Sequence, residues 1–466
     1  MERPDAGRDQ HRMPRDPPRA LQGNSKVHTG IARRASLIRG GVRYVDVLEQ
    51  KAAHQKTARM LTDESTYDQV RHRQWLSGAA RGLSRRTVLR MSVIGGTAMA
   101  VGTAGTASAA GPIVKPLPPE FFEVYGANAE TKWESLSGQG YLTPIDRFFV
   151  RNHTSTPTID VNAWRLRVFG SGLRRGPAEF SYRDLRSLPA ETTTAFIECA
   201  GNGRSYFTSQ QGQQVSGTPW KLGAVGVARW RGVKLSTALA KAGLSRNAVD
   251  VLPSGLDADF VTGGVNLGKV RRPLPIGKAL DDVLLAYEMN GRQLPLDHGF
   301  PIRLVVPSWI GISSIKWLGE IEVSETPLVS PWNTQFYRLV GPAYPAEGTV
   351  VSRQVVKSAF ELPRDATLAA GQRHVLRGRS WSGNGSIRNV DISVDGIKWH
   401  PAKPTSHAYE RGWLQWEFPW RPKQPGAYTL HARATDWSGV TQPVVTPYNT
   451  QGYLFDAIVP HPVTVV

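Results

Sequence analysis

The pattern of hydrophobic and polar positions changes character twice along the 466 residues. Residues 1–83 are polar and Arg-rich with no sustained apolar period, which predicts a disordered basic extension. Residues 91–108 form a weakly apolar run of Gly, Ala and Thr, and residues 112–119 a proline-rich linker. Short elements then alternate. Residues 164–169 read as a strand, 181–188 as a helix closed by Pro189, and 192–199 as β-rich. Residues 236–243 read as a helix with a glycine stop, and 283–287 as an apolar strand before the hairpin signal Asn290-Gly291. Interleaving of this kind, without long strand–helix–strand units, predicts an α+β domain of mixed α/β content rather than a dinucleotide fold. From about Val350 only strand-like alternation remains. Val390, Ile392 and Val394 alternate with polar residues, as do Tyr428, Leu430, Ala432 and Ala434, and Asp395-Gly396 and Trp437-Ser438-Gly439 mark turns. That pattern predicts a β-sandwich.

Composition sharpens this picture. With 40% hydrophobic residues and 14 Trp the chain can bury the cores of two or three domains. The net charge of +19 would suggest a nucleic-acid partner, but residues 1–90 hold 19 Lys and Arg against 9 Asp and Glu, a net of +10 that leaves +9 for the other 376 residues. The excess belongs mainly to the tail, so nucleic acid is not expected as a partner. Within the tail, Ser84-Arg85-Arg86-Thr87-Val88-Leu89-Arg90 precedes the apolar run, which ends at the small-x-small sequence Ala107-Ser108-Ala109. Residues 84–110 are therefore expected to be a twin-arginine export signal, with Met60 as an alternative start and delivery to the periplasm or cell exterior. A membrane anchor is the other reading, disfavoured by the glycine content and short length of the run. The expected domains are the extension 1–83, the signal 84–110, a catalytic domain 111–345 and a sandwich 346–466.

Cys199 is the only cysteine, so it cannot form an intramolecular disulfide and matters through packing or through its thiolate. It lies in Phe196-Ile197-Glu198-Cys199-Ala200-Gly201-Asn202-Gly203-Arg204, where a strand runs into a glycine-rich turn. Glycine on both sides of Asn202 allows close backbone approach, and Arg204 adds a fixed positive charge. The run Cys-Ala-Gly-Asn-x-Arg-Ser resembles the molybdenum-ligand motif of the sulfite oxidases, molybdopterin enzymes in which one cysteine thiolate binds the metal. Further blocks are similar in order and spacing: 148–153, 286–291, 297–303 and 315–319.

The resemblance implies a set of roles. Cys199 would ligate molybdenum. Phe149, Arg151, Asn152, His153, Asp257, His298, Arg303, Ser314 and Lys316 would hold the pterin and its phosphate. Arg151, Arg204 and, from the second domain, Arg388 match anion-binding arginines, Trp220 the tryptophan that closes the substrate pocket, and Tyr337 the tyrosine that hydrogen-bonds the reactive oxygen. The second domain would be immunoglobulin-like and form a homodimer. Taken singly, Arg303 could equally be a snorkelling strand residue, Lys316 a solvated side chain and Tyr337 a half-buried core residue. The chain departs from the animal pattern in a longer Cys199-to-Trp220 interval, in Ser216 or a neighbour standing for a lysine, and in Phe336 standing for an acid before Tyr337. These departures touch the substrate pocket rather than the metal.

One cysteine cannot supply an iron–sulfur cluster, and no Cys-x-x-Cys-His site for c-type haem occurs, so molybdenum is expected as the sole redox centre. The expected activity is oxidation of sulfite to sulfate with electrons passed to an external acceptor such as a cytochrome. The alternatives are a molybdopterin reductase of a sulfoxide or another small oxyanion, and a secreted non-catalytic β-sandwich binding protein.

Overall fold

The computed structural model describes residues 64–82 and 112–466, apart from Ser352. The expected disordered extension over 1–83 is corrected at its C-terminal end, because Glu64–Gly82 is an α-helix. Its polar composition conceals a docking face on which Tyr67, Asp68, Arg71 and His72 are buried. Arg71 donates from Nε and Nη2 to the two carboxylate oxygens of Asp250 at 2.8 and 2.6 Å, and Asp68 pairs with Arg272. A charge can be buried when it is matched, and these partners lie far down the chain, where no local sequence window finds them. The remaining residues of the extension and the twin-arginine motif lie outside the described residues.

Two sheets frame the α+β body. One has the strand order Leu274–Pro275, Asp250–Gly255, Leu318–Ser324, Arg165–Phe169, Ala178–Ser181, antiparallel except for the parallel pair Leu318–Ser324 with Arg165–Phe169. The other runs Arg292–Gln293, Leu284–Met289, Val225–Lys234, Ala190–Glu198, all antiparallel, with Arg303–Val305 also paired to Leu284–Met289. Local signals set the element ends. Ser181 and Asp184 form a capping box at the start of the Tyr182–Arg186 helix. Gly243, at φ +87°, stops the Leu235–Ala242 helix. Asn290 and Gly291, at φ +54° and +77°, turn the hairpin between Leu284–Met289 and Arg292–Gln293. Leu166, Val168, Leu285, Leu304, Ile321 and Val323 lie in the core that the two sheets share.

The C-terminal region is a β-sandwich. Lys357–Phe360, His374–Trp381, Trp413–Trp420 and Lys403–Pro404 form one sheet in that order. Ala366–Leu368, His461–Val465, Gly426–Asp436, Ile387–Ser393 and His400–Pro401 form the other. Phe360, Leu376, Leu414 and Trp416 of the first share a core with Val390, Ile392, Leu430 and Val463 of the second, so the alternation in the sequence faces inward as expected. The chain then leaves the sandwich before its last strand. The connection between Gly426–Asp436 and His461–Val465 places Tyr453 in the core of the α+β body, and Phe455 and Ala457 pack with Phe196, Phe207 and Trp413. Among the described residues no helix is long and apolar enough to cross a membrane.

Candidate active site

Strand Ala190–Glu198 pairs along its full length with Val225–Lys234, and Cys199 leaves the sheet at its end. The turn is tightly fixed. Cys199 N donates to Ala224 O at 3.0 Å, and Asn202 N donates to Cys199 O at 2.9 Å. Asn202 Oδ1 accepts from Ala224 N at 2.9 Å, and Asn202 Nδ2 donates to Glu198 Oε1 at 2.9 Å. Two sandwich-side residues add to this: Lys357 Nζ lies 2.6 Å from Glu198 Oε1, and Gln354 Nε2 donates to Glu198 O at 2.7 Å. On the other side Gly311 approaches so closely that an added Cβ would stand 2.5 Å from Glu198 O. The half-buried Cys199 is thereby presented to an open cavity.

The cavity gathers residues from four stretches of chain. Phe149, Arg151, Asn152 and His153 come from around the short strand Val150–Arg151, and Asp257 from the end of Asp250–Gly255. His298, Arg303, Ser314 and Lys316 come from the segment that precedes Leu318–Ser324, and Tyr337 completes the wall. Thus Cys199, Tyr337, Arg151 and all the residues matched to the pterin site meet in one place. Many of them hold one another. Lys316 Nζ donates to Asn152 Oδ1 and to Asp297 O. Arg303 donates to His298 O at 3.0 Å and Ser314 O at 3.1 Å, and Ser314 Oγ accepts from Val306 N. His153 Nε2 accepts from Trp332 Nε1 at 3.0 Å, and Thr154 Oγ1 donates to Asp257 Oδ2 at 3.2 Å.

The electrostatics of this wall are lopsided. Burial pushes His153, His298 and Lys316 well below their ordinary pKa values, and neighbouring cations push the same way: Arg151 and Lys316 on His153, Lys115, Lys316 and Arg303 on His298, and Arg303 on Lys316. Burial also raises the Asp257 carboxyl. Arg151 Nη1 and His298 Nε2 are buried without a hydrogen-bond partner. An unsatisfied guanidinium N–H among crowded cations is complementary to an anion, which would restore charge to the groups that burial discharges.

Three expected site residues lie elsewhere. Arg204 is buried at the Cys199 turn but does not line the cavity. Its Nε donates to Gln451 O at 2.8 Å and its Nη1 to Thr218 O at 2.9 Å. The open space beside Gly201 and Gly217 serves this side chain rather than a ligand: a Cβ on either would lie 2.5–2.7 Å from the guanidinium. Trp220 is fully buried, edge-on to Tyr125 at 5.8 Å, and belongs to the same core cluster as Phe148 and Phe149 instead of lining the cavity. Arg388 is corrected outright. It stands exposed on Ile387–Ser393, where Ile387 and Val390 take the inward positions, and its side chain bonds to Asn389. Sequence reading also missed residues. Asp297, Gly311 and Trp317 line the cavity, and Tyr453 stacks on Tyr337 with ring centroids 5.2 Å apart. Asp297 lies within a matched block, whereas nothing near Tyr453 in the sequence marks it.

A family model described as the oxidoreductase molybdopterin binding domain matches residues 153–332. Sulfite oxidase of Gallus gallus is 35% identical over 353 residues, covering 71% of this chain and 74% of that protein. The chain belongs to the sulfite oxidase family. Mitochondrial sulfite oxidase of Mus musculus is 33% identical over 350 residues, covering 71% of this chain but 62% of that protein, and the human enzyme is 37% identical over 289 residues, covering 59% and 51%. The chain therefore spans about half to three-fifths of the length of these mammalian relatives. Among solved structures, the sulfane dehydrogenase SoxCD from Paracoccus pantotrophus is similar, with a TM-score of 0.64 and 27% identity, covering 78% of this chain and 94% of that one. The fold class read from the sequence is that of the family. Molybdenum-molybdopterin is the cofactor that goes with the matched domain, and the site suits it: a soft sulfur donor, an unpartnered buried guanidinium N–H and a cationic wall face one cavity.

Proposed function

We propose that the protein oxidises sulfite to sulfate, with water as the oxygen donor, and passes the electrons to an external acceptor such as a cytochrome. The observation that carries this reading is the meeting of Cys199, the unpartnered Nη1 of Arg151 and the buried Tyr337 on one cavity wall. When bound, the molybdenum cofactor supplies the two-electron redox chemistry and the transferable oxygen. The protein's own groups then do the rest. Cys199 offers a thiolate, which is the form that binds metal. Lys316, Arg303, His298 and Ser314 line the part of the cavity suited to the pterin and its phosphate. Arg151 offers an always charged, planar donor to the oxyanion without covering its sulfur. Tyr337, whose phenol is raised by burial and kept protonated, holds a proton at its hydroxyl for the reacting oxygen.

Export by the twin-arginine route, dimerisation through the sandwich and the absence of haem or iron–sulfur centres complete the proposal. They rest on the Ser84–Arg90 run, the family likeness and the single cysteine. A second reading is oxidation of a sulfane sulfur, the chemistry after which the SoxCD neighbour is called a sulfane dehydrogenase. It is favoured by the commitment of Arg204 to two backbone carbonyls, which leaves Arg151 as the arginine with an unpartnered donor on the cavity. The deciding experiment measures molybdenum content and ferricyanide reduction by the purified protein with sulfite and with a persulfide. About one molybdenum per chain, no Soret band and turnover with sulfite are expected. Turnover with the persulfide alone would select the second reading, and a metal-free, inactive protein would refute both.

A further inference from the structure

We infer that Tyr453, delivered by the C-terminal connection, is a positioning residue that fixes the ring of Tyr337. The inference rests on the active-site role proposed for Tyr337. Tyr337 sits at φ +59° in the left-handed region, which a non-glycine residue adopts only when its surroundings hold it there. The backbone helps, since Val351 N donates to Tyr337 O at 2.8 Å. The ring is held by Tyr453, whose plane is inclined by only 11° at a centroid distance of 5.2 Å. Arg204 in turn lies over Tyr453, its guanidinium carbon 5.3 Å from the ring centroid. Tyr453 is thus in contact with a cation as well as with the proposed proton-holding ring.

The connection that carries Tyr453 is built to stay in place. Asn449, fully buried, brackets Tyr453: its Oδ1 accepts from Tyr453 N and its Nδ2 donates to Tyr453 O, both at 2.9 Å. Arg204 Nε donates to Gln451 O at 2.8 Å, and Leu454 N donates to Ala200 O at 2.9 Å, within the turn that presents Cys199. Gly452 admits Arg204, because a Cβ there would lie 2.7 Å from Arg204 Cγ. Arg204 thereby braces both Tyr453 and the connection that carries it.

The test compares Tyr453→Leu with Tyr453→Phe in molybdenum-loaded enzyme. Loss of the stacked ring is expected to lower kcat by about tenfold with KM within about twofold, and Tyr453→Phe is expected to restore most of it, since the ring rather than the hydroxyl does the positioning. The second measurement needs no turnover: nitration of Tyr337 by tetranitromethane in cofactor-free protein, mapped by peptide mass spectrometry. Tyr337 should react faster in Tyr453→Leu than in the wild type or Tyr453→Phe, with Tyr67 still protected as the control for folding. Unchanged Tyr337 nitration in Tyr453→Leu would overturn the inference, as would equal loss of kcat in the Phe and Leu variants. Tyr337→Phe separates the two levels of argument: full activity in that variant would refute the role proposed for Tyr337, while the nitration result would still decide whether Tyr453 fixes the ring.

Discussion

Lys357 Nζ lies 2.6 Å from Glu198 Oε1, and both side chains are shut off from solvent. The pair ties the first strand of the sandwich to the residue immediately before Cys199. Removing one member leaves the other as an unmatched buried charge, so Lys357→Met should destabilise the fold by about 3–5 kcal/mol. Urea unfolding checks this. Adding Glu198→Gln to that variant should recover much of the loss, because a neutral amide no longer needs the ammonium.

Cys199→Ser should give a folded protein that retains the pterin and has almost no activity. Serine fits the same space but lacks the soft sulfur donor. Pterin content, molybdenum content and sulfite-dependent ferricyanide reduction measure the three parts of this outcome. Loss of folding would show that the thiol matters only through packing.

Arg151→Met removes the charged donor that faces the cavity without a partner. A charge-assisted hydrogen bond contributes about 1.5–3 kcal/mol, so kcat/KM for sulfite should fall by about ten- to a hundredfold. Steady-state kinetics at fixed ionic strength provide the measurement.

Glu130 sets a pH dependence away from the site. Burial lifts its carboxyl to about 7, against the usual 4.5, even though Tyr125 Oη and the backbone N–H groups of Lys221 and Gly223 donate to it. Between those two values the folded protein holds a proton that the unfolded chain has released, so stability falls as pH rises through the window and levels off above it. The amount is roughly 3 kcal/mol at most. Glu130→Gln should flatten the profile of unfolding free energy against pH between 4.5 and 7.

Arg85→Lys combined with Arg86→Lys preserves charge while changing the twin-arginine run. Active enzyme should then remain in the cytoplasm, as fractionation followed by activity assay would show. Normal activity outside the cytoplasm would refute the export proposal.

The fold was legible where the signal was local. Ser181, Gly243 and Asn290-Gly291 end or turn their elements by short-range geometry, and the alternation over Val390, Ile392, Leu430 and Ala432 reports directly which side chains point into the sandwich. The cavity wall was legible because its residues lie in blocks whose order and spacing match the family. What escaped was long-range. Asp68 and Arg71 look like ordinary solvated charges until Arg272 and Asp250 are brought against them. Tyr453 follows no motif, and only the return of the chain from the sandwich sets it beside Tyr337. Arg388 erred in the opposite way: the likeness supplied a role, but the pleat of its strand turns the side chain outward.

The Glu64–Gly82 helix precedes the twin-arginine run in the chain and yet is anchored to the folded body by Arg71 and Asp68. A cut after Ala109 would sever its covalent link and leave those two pairs intact. Processed enzyme of that kind would be a nicked molecule with a fresh N-terminus on its body and its N-terminal peptide retained by noncovalent contacts, the two salt bridges and the buried Tyr67. Its integrity would then depend on dilution and on the off-rate of that peptide, which ties maturation of the precursor to an ordinary dissociation equilibrium.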